Sequence, residues 1–240
     1  MIRIDKSNVS IPTVLTTQGV QATNRNNHYY SKGKRKFIFS KNIYGHASVK
    51  HLLIDLQHDK CCFCERKVSA GEPGHVEHYR PKGGYKQSDT SALVKPGYYW
   101  LAYDFDNLYF SCYRCNATYK KNYFPLSEPF QRARCHTDRI ANEDPLIINP
   151  ADDPSIDLYF DREVIKHRSL KGRETIKRTG LNRKYLSDER YEYLQLLDIL
   201  ARVARGTDNI ALLARNQFLK AARKESLFSY MIRCNYPDLV

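Results

Sequence analysis

The sequence has no apolar run long enough to cross a bilayer: stretches such as Leu52-Leu53-Ile54 fall far short of the roughly 20 residues a spanning helix needs. Its start, Met1-Ile2-Arg3-Ile4-Asp5-Lys6, has no apolar segment followed by a small-residue cleavage site, so a secretory signal is not expected. A cytoplasmic location is the expectation. Internal repeats and long low-complexity tracts are also missing, which leaves an ordinary globular chain of 240 residues, 42% of it hydrophobic. That length suits one large domain, or a compact catalytic module with a second helical part. Acidic residues are scarce. Lys and Arg number 39 against 26 for Asp and Glu, giving a formal charge of +13 and a pI near 9.4. Such an excess attracts polyanions, of which nucleic acid is the commonest in a cell, although charge also serves plain solubility.

Seven cysteines are an odd number, which argues against a complete disulfide framework. Their positions carry more information. Cys61 and Cys64 form one C-x-x-C, and Cys112 and Cys115 form another, with 47 residues between the two pairs. Two such knuckles in a reducing compartment suit a structural Zn²⁺ site, because four thiolates close a tetrahedral shell. The interval exceeds that of ordinary zinc ribbons, so a substantial insertion is expected between the knuckles. A thiol redox role fits less well, since neither motif opens an evident βαβ unit. Cys62, Cys135 and Cys234 lack this pairing and read as small buried residues.

Three stretches follow from the pattern along the chain. Residues 1–60 read as an N-terminal arm and a helix leading into the core. Up to residue 42 polar, asparagine-containing stretches alternate with short apolar runs, and Lys32-Gly33-Lys34-Arg35-Lys36 is a solvated loop or a phosphate-contacting arm. Val49, Leu52, Leu53 and Leu56 then fall at helical spacing between Ala47 and Gln57. Residues 61–130 hold the knuckles, a turn-rich segment from Ala70 to Pro96 with short strands, and an aromatic run from Tyr98 to Phe110 that reads as core. Cys112 to Lys121 is a plausible short helix. Residues 131–240 are mixed, then helical. Leu146–Pro150 reads as a strand ended by a turn, and Asp157–Val164 as further extended structure. Ser187 is the expected N-cap of a helix ending near Gly206, with a second helix from about Asn209 to Arg233 carrying Ile210, Leu213 and Leu227.

Between the knuckles lies Gly74-His75-Val76-Glu77-His78-Tyr79-Arg80-Pro81-Lys82, followed by Asp106-Asn107-Leu108 and then Cys112-Tyr113-Arg114-Cys115-Asn116. An acidic residue directly before a histidine, then Asn-Leu, then a polar residue after the second knuckle resembles the HNH nucleases. The order of these parts together with both knuckles carries the likeness; a lone Glu-His pair would carry none. It implies an α+β chain with a ββα-metal core stapled by the zinc knuckles and a mainly helical C-terminal part. On this resemblance His78 is the general base, Glu77 and Asn116 are metal ligands, and Asn107 holds the intervening loop and so orients the histidine. The residue types suit phosphodiester hydrolysis. A histidine near neutral pKa can take a proton from water, and a bound metal can offset charge building on the phosphate and the leaving oxygen. Glu77 stands where many HNH enzymes have Asp, and Asn116 where the final His often sits, giving an H-N-N variant. An amide oxygen ligates Zn²⁺ poorly but Mg²⁺ or Mn²⁺ acceptably, so one of the latter is expected at the catalytic site. His75, three residues before His78 on a strand, points to the other face and is expected to support rather than ligate. Arg80, Lys82, Lys120 and Lys121 cluster around the motif as candidate nucleic-acid contacts. Lys120 departs from the commoner C-N-x-x-K spacing, since Tyr119 fills that place.

The likeness extends further. Cys61-Cys62-Phe63-Cys64-Glu65, Val76 to Lys82, Asn122-Tyr123-Phe124-Pro125-Leu126, Ile148-Asn149-Pro150 and Leu181-Asn182-Arg183 are similar to the PtuB family, the HNH subunits of Septu anti-phage systems, including Septu modules attached to retrons. That resemblance implies an ABC/SMC-like ATPase partner of the PtuA type and, in the retron-linked version, a reverse transcriptase with its DNA–RNA product. The substrate stays open between DNA and RNA such as tRNA. A non-catalytic zinc-ribbon module that docks nucleic acid or a partner is the alternative class, and it leaves Glu77-His78 and Asn116 without a role.

Overall fold

Strands β1 (His75–His78) and β2 (Leu108–Ser111) pair antiparallel, with His75 opposite Ser111 and His78 opposite Leu108. In the computed structural model, which describes residues 1–240, a helix at Arg114–Lys120 with π-type hydrogen bonding follows β2 almost directly. Strand β2 is buried throughout, whereas β1 is buried only at Glu77 and His78, so those two residues sit at its inner end. Gly74 permits this start to β1. It has φ +63°, and a Cβ there would run into the Phe110 ring.

The N-terminal arm carries helical structure, and the basic cluster Lys32–Lys36 lies in a turn and irregular backbone after it. Helix α1 (Val20–Ser31) is preceded by a π-helical turn at Leu15–Gly19. Leu15, Gly19, Ala22 and Asn26 are its buried residues. Their spacing is helical, but glycine, alanine and asparagine carry most of it, so no apolar stripe appears in the sequence. Gly19 lets the helix approach closely, since a Cβ there would stand 3.2 Å from the Tyr103 Cβ. Helix α2 (Lys41–Tyr44) follows, then α3 (Ala47–Leu56), which matches its expected range and buries Val49 and Leu53.

Strand β3 (Leu158–Asp161) lies within the stretch expected to be extended, and it pairs antiparallel with β4 (Val164–His167), which begins where that stretch ends. Residues 146–150, by contrast, form no strand. Ile147 and Ile148 are both fully buried, and side chains rather than a ladder satisfy much of this backbone: Tyr79 Oη donates to Ile147 O, and Ile148 N–H donates to Thr175 Oγ1. Helix α4 (Leu170–Thr179) starts on a Ser169 cap and ends at Gly180 in the left-handed region, where a Cβ would meet the Tyr119 ring at 2.5 Å. That close approach seats α4 against the Arg114–Lys120 helix. Helix α5 (Lys184–Ala204) begins before Ser187, because buried Leu186 and Arg190 dock its first turns. The single helix expected over 209–233 is two, α6 (Asn209–Ala221) and α7 (Ser229–Asn235), separated by turns that end at buried Phe228 with φ +49°. In α6 the buried face is Ala211, Ala214 and Phe218, whereas Ile210 and Leu213 point outward, and Leu196, Ile199 and Val203 of α5 are exposed as well.

One cluster of 45 buried residues, from Met1 to Tyr236, joins all three stretches of the chain. No helix is long and apolar enough to cross a membrane. Cys62 is buried as expected, while Cys135 and Cys234 are only half-buried. A buried ionic cluster ties the first knuckle to α7. The Glu65 carboxylate pairs with Lys60 Nζ at 3.1 Å and with the Met1 ammonium at 2.8 Å, and it accepts from Ser229 Oγ at 2.9 Å. Burial raises the Glu65 pKa, but the two cations overcome it and hold the carboxyl at about 2. Glu65→Ala would strand a buried lysine, and is expected to lower stability by about 3–5 kcal/mol in urea unfolding.

Candidate active site and metal centre

The four knuckle cysteines meet. The Sγ atoms of Cys61, Cys64, Cys112 and Cys115 lie within 4.8 Å of one another, all buried, with Cys64 Sγ 3.9 Å from Cys112 Sγ. A tetrahedral metal–thiolate centre with bonds of about 2.3 Å needs sulfur–sulfur edges of about 3.8 Å. The donor set therefore fits a metal such as zinc. Local backbone holds the thiols: Cys61 N–H donates to Arg66 O, Glu65 N–H donates to Cys61 O in a left-handed turn, and Cys115 N–H donates to Cys112 Sγ at 3.4 Å. Hydrogen bonds from the neighbouring thiols pull the Cys64 pKa well down, while burial pushes Cys61 up. Arg183, 68 residues beyond Cys115, places Nη1 3.5 Å from the Cys115 Sγ. Burial opposes its charge, and the surrounding thiols more than offset that cost. Nothing in the sequence marks Arg183 for this position, because only the docking of α5 brings it there.

At the inner end of β1, His78 is held on both ring nitrogens. Nε2–H donates to the Ala102 carbonyl at 3.0 Å, and the Lys82 ammonium donates to Nδ1 at 3.1 Å. This pattern puts the proton on Nε2 and the lone pair on Nδ1. The Tyr44 ring packs edge-on against the imidazole at 4.8 Å. Burial first, then the charge of Lys82, holds the His78 pKa well below the ordinary histidine value. Lys82 is itself lowered to about 8, chiefly by burial, with Glu77 opposing the shift and Lys120 adding to it. Nothing in the sequence marks Ala102 or Tyr44 for this site, since a backbone carbonyl and a lone aromatic leave no signature.

Glu77 is buried beside His78, with Lys120 Nζ 2.5 Å from its Oε1. The contact is ionic rather than an aligned hydrogen bond, so Oε1 is a buried carboxylate oxygen without a directed donor. Such an atom suits a cation. Lys120 also donates to His78 O at 3.1 Å and is fully buried. Expected among the phosphate contacts, it is turned inward because an ammonium at that depth requires the Glu77 carboxylate. Arg80 is likewise committed within the protein, its Nε 3.0 Å from Glu143 Oε2, the latter side chain being wholly buried. Lys121 alone of the four cations is fully exposed, and Lys82 is half-buried. Asn116 is half-buried on the same helix as Lys120, four residues earlier.

Asn107 ends a 3-10 turn (Phe105–Asn107) just before β2. Its Oδ1 accepts from Arg80 N–H at 2.7 Å, and its Nδ2 donates to Arg80 O and Leu101 O. It thus ties the segment after His78 to the segment that presents Ala102. Lys6 Nζ donates to Phe105 O and Leu108 O from behind the same turn. His75 lies half-buried against the edge of Tyr113, off the His78 side of the strand.

The chain is 36% identical over 195 residues to the Septu protein PtuB of Bacillus mycoides (strain KBAB4), which covers 79% of this chain and 65% of that protein. It belongs to the PtuB family. It is also 26% identical over 133 residues, 55% of this chain, to a stretch making up 18% of the Septu protein PtuA of the same strain. The chain therefore spans somewhat under two thirds of its PtuB relative. No family model and no solved structure matches it. The segment that carries the buried Glu77–His78 pair in this PtuB-family chain depends on the Asn107 clamp. Asn107→Ala, which strands the Arg80 N–H and frees two carbonyls, is expected to cost about 1–3 kcal/mol by chemical denaturation.

Proposed function

We propose that this chain is a metal-dependent HNH endonuclease, the effector of a Septu-type anti-phage defence system. The observation that carries the reading is the state of His78. Its Nε2–H is fixed on Ala102 O, and its Nδ1 lone pair is directed toward half-exposed Lys82, with burial keeping the ring neutral. A neutral imidazole with an oriented lone pair is what a general base requires. The strand–strand–helix order around it, and the buried Glu77 oxygen, support a ββα-metal reading.

In hydrolysis, Nδ1 of His78 takes a proton from water, the hydroxide oxygen bonds to phosphorus, and the phosphorus–oxygen bond to the leaving nucleotide breaks. Ala102 O holds the imidazolium that results. Lys82 leaves Nδ1 when substrate enters, and its ammonium passes to a phosphate oxygen. Glu77, with Asn116, would hold Mg²⁺ or Mn²⁺, and the ion when bound offsets the charge gathering on the phosphate. Zn²⁺ in the four-cysteine centre serves structure alone. Asn107 positions His78 through Leu101 and Arg80.

Family likeness supports a partner reading. An ABC/SMC-like ATPase of the PtuA type would restrain the nuclease until infection, and a retron reverse transcriptase with its DNA–RNA product would join in retron-linked assemblies. The exposed apolar residues of α5 and α6 are surface of the kind that a stable partner covers. Substrate is nucleic acid, DNA or RNA such as tRNA.

Two measurements test this reading. His78→Ala should reduce Mg²⁺- or Mn²⁺-dependent cleavage of duplex DNA or total tRNA by about 10²–10⁴-fold while leaving the fold intact; undiminished cleavage overturns the assignment. Metal analysis of the purified chain should find a single tightly held zinc that Cys64→Ser or Cys112→Ser removes, with a large loss of thermal stability.

A further inference from the structure

Beside the candidate active site lies a cleft of about 400 Å³ that none of the roles above uses. Arg35, Lys36, Phe37 and Phe39 form one wall, Gly83 and Gly84 another, and Leu93, Lys95 and Asn122 complete it. The lining holds three cations and no carboxylate. Neighbours of two site residues line it. Gly83 directly follows Lys82, and Asn122 comes two residues after Lys120, while Lys82 Nζ lies 6.0 Å from the centre of the Phe39 ring.

The aromatic wall is prearranged. Tyr30 stacks on Tyr99 at 5.0 Å and 18°, and Tyr99 stacks on Phe37 at 4.6 Å and 13°. Phe37 ends this column and lines the cleft half-exposed. A flat ring added there would continue the stack, with exposed Lys36 and Lys95 beside it, while Arg35 is held on the Tyr30 ring and donates to Tyr30 O and Lys34 O. Stacked rings within a positive groove take unpaired bases, because a duplex keeps its base faces covered.

We propose that this cleft binds an unpaired nucleic-acid strand next to the cleavage site, with a base stacked on Phe37 and phosphates met by Lys36 and Lys95. The inference rests on the nuclease reading for its function but has its own binding test. Gly83 offers a clean block. A Cβ there touches only Phe39, at 3.9 Å, so a side chain enters the cleft without disturbing the fold. Lys36 and Lys95 are exposed, so charge reversal at either is also compatible with folding.

The experiment uses the full chain carrying His78→Ala, so that substrate survives, and short fluorescent oligonucleotides as single-stranded RNA, single-stranded DNA and duplex. Anisotropy is followed across a potassium chloride series. Lys36→Glu, Lys95→Glu and Gly83→Glu should each weaken single-strand binding about tenfold or more. Each lysine variant should also flatten the dependence of log K on log salt by about 0.7 for each phosphate that is no longer neutralised. Phe37→Ala should weaken binding about tenfold and leave the salt slope unchanged, since it removes a stacking surface and no charge. Lys184→Glu, on exposed α5, alters the net charge equally and should leave binding unchanged. The RNA and DNA arms show which strand is preferred. Unchanged binding in the cleft variants, equal weakening with Lys184→Glu, or duplex held as tightly as single strands overturns the proposal. If the parent chain cleaves and the cleft variants cleave and bind as well as it does, the nuclease reading stands and the cleft falls. If the parent chain cleaves none of these nucleic acids while the cleft variants bind single strands more weakly than it does, the cleft stands and the nuclease reading falls.

Discussion

Closure of the four-cysteine cluster is the constraint on which the rest depends. It brings residues 61–64 against residues 112–115 and so shuts the 47-residue excursion between them into a loop with a fixed base. Two four-residue strands would not hold themselves together in water. Here β1 and β2 are fastened between the knuckles, and the helix that carries Asn116 and Lys120 begins inside the second one. Metal coordination by these four thiolates would supply folding free energy that the short strands lack, on the order of 10 kcal/mol in small zinc modules. Arg183 and the turn held by Glu65 then connect the cluster to the C-terminal helices.

Buried charge is the second theme. In a chain of net charge +13, the cations nearest His78 are mostly engaged within the protein: Lys120 with Glu77, Arg80 with Glu143, and Lys82 with His78 itself. Each is a desolvated group whose partner sets its position. The effect is a rigid site whose polar atoms are oriented from several directions. Meanwhile the cations free to meet a polyanion, Lys36, Lys95 and Lys121 among them, lie at its flank. Positioning and attraction are divided between different residues, which spacing in the sequence does not distinguish.

The sequence by itself determined the two knuckles, helix α3, the extended structure at β3 and the Glu77–His78 pair on a short strand. These features depend on near neighbours: paired cysteines, an apolar stripe at helical spacing, a histidine next to a carboxylate. Tertiary structure decided what depends on distant ones. Helix α1 stayed hidden because its buried face is Leu15, Gly19, Ala22 and Asn26, where close backbone approach replaces apolar bulk. Residues 146–150 look like a strand in sequence because Ile147 and Ile148 suit burial, yet Tyr79 and Thr175 side chains rather than a neighbouring strand satisfy Ile147 O and Ile148 N–H. The outward turn of Ile210 and Leu213, and the inward turn of Arg80 and Lys120, were settled the same way. Burial of a charge or exposure of an apolar side chain depends on what packs against it, and those residues lie far along the chain.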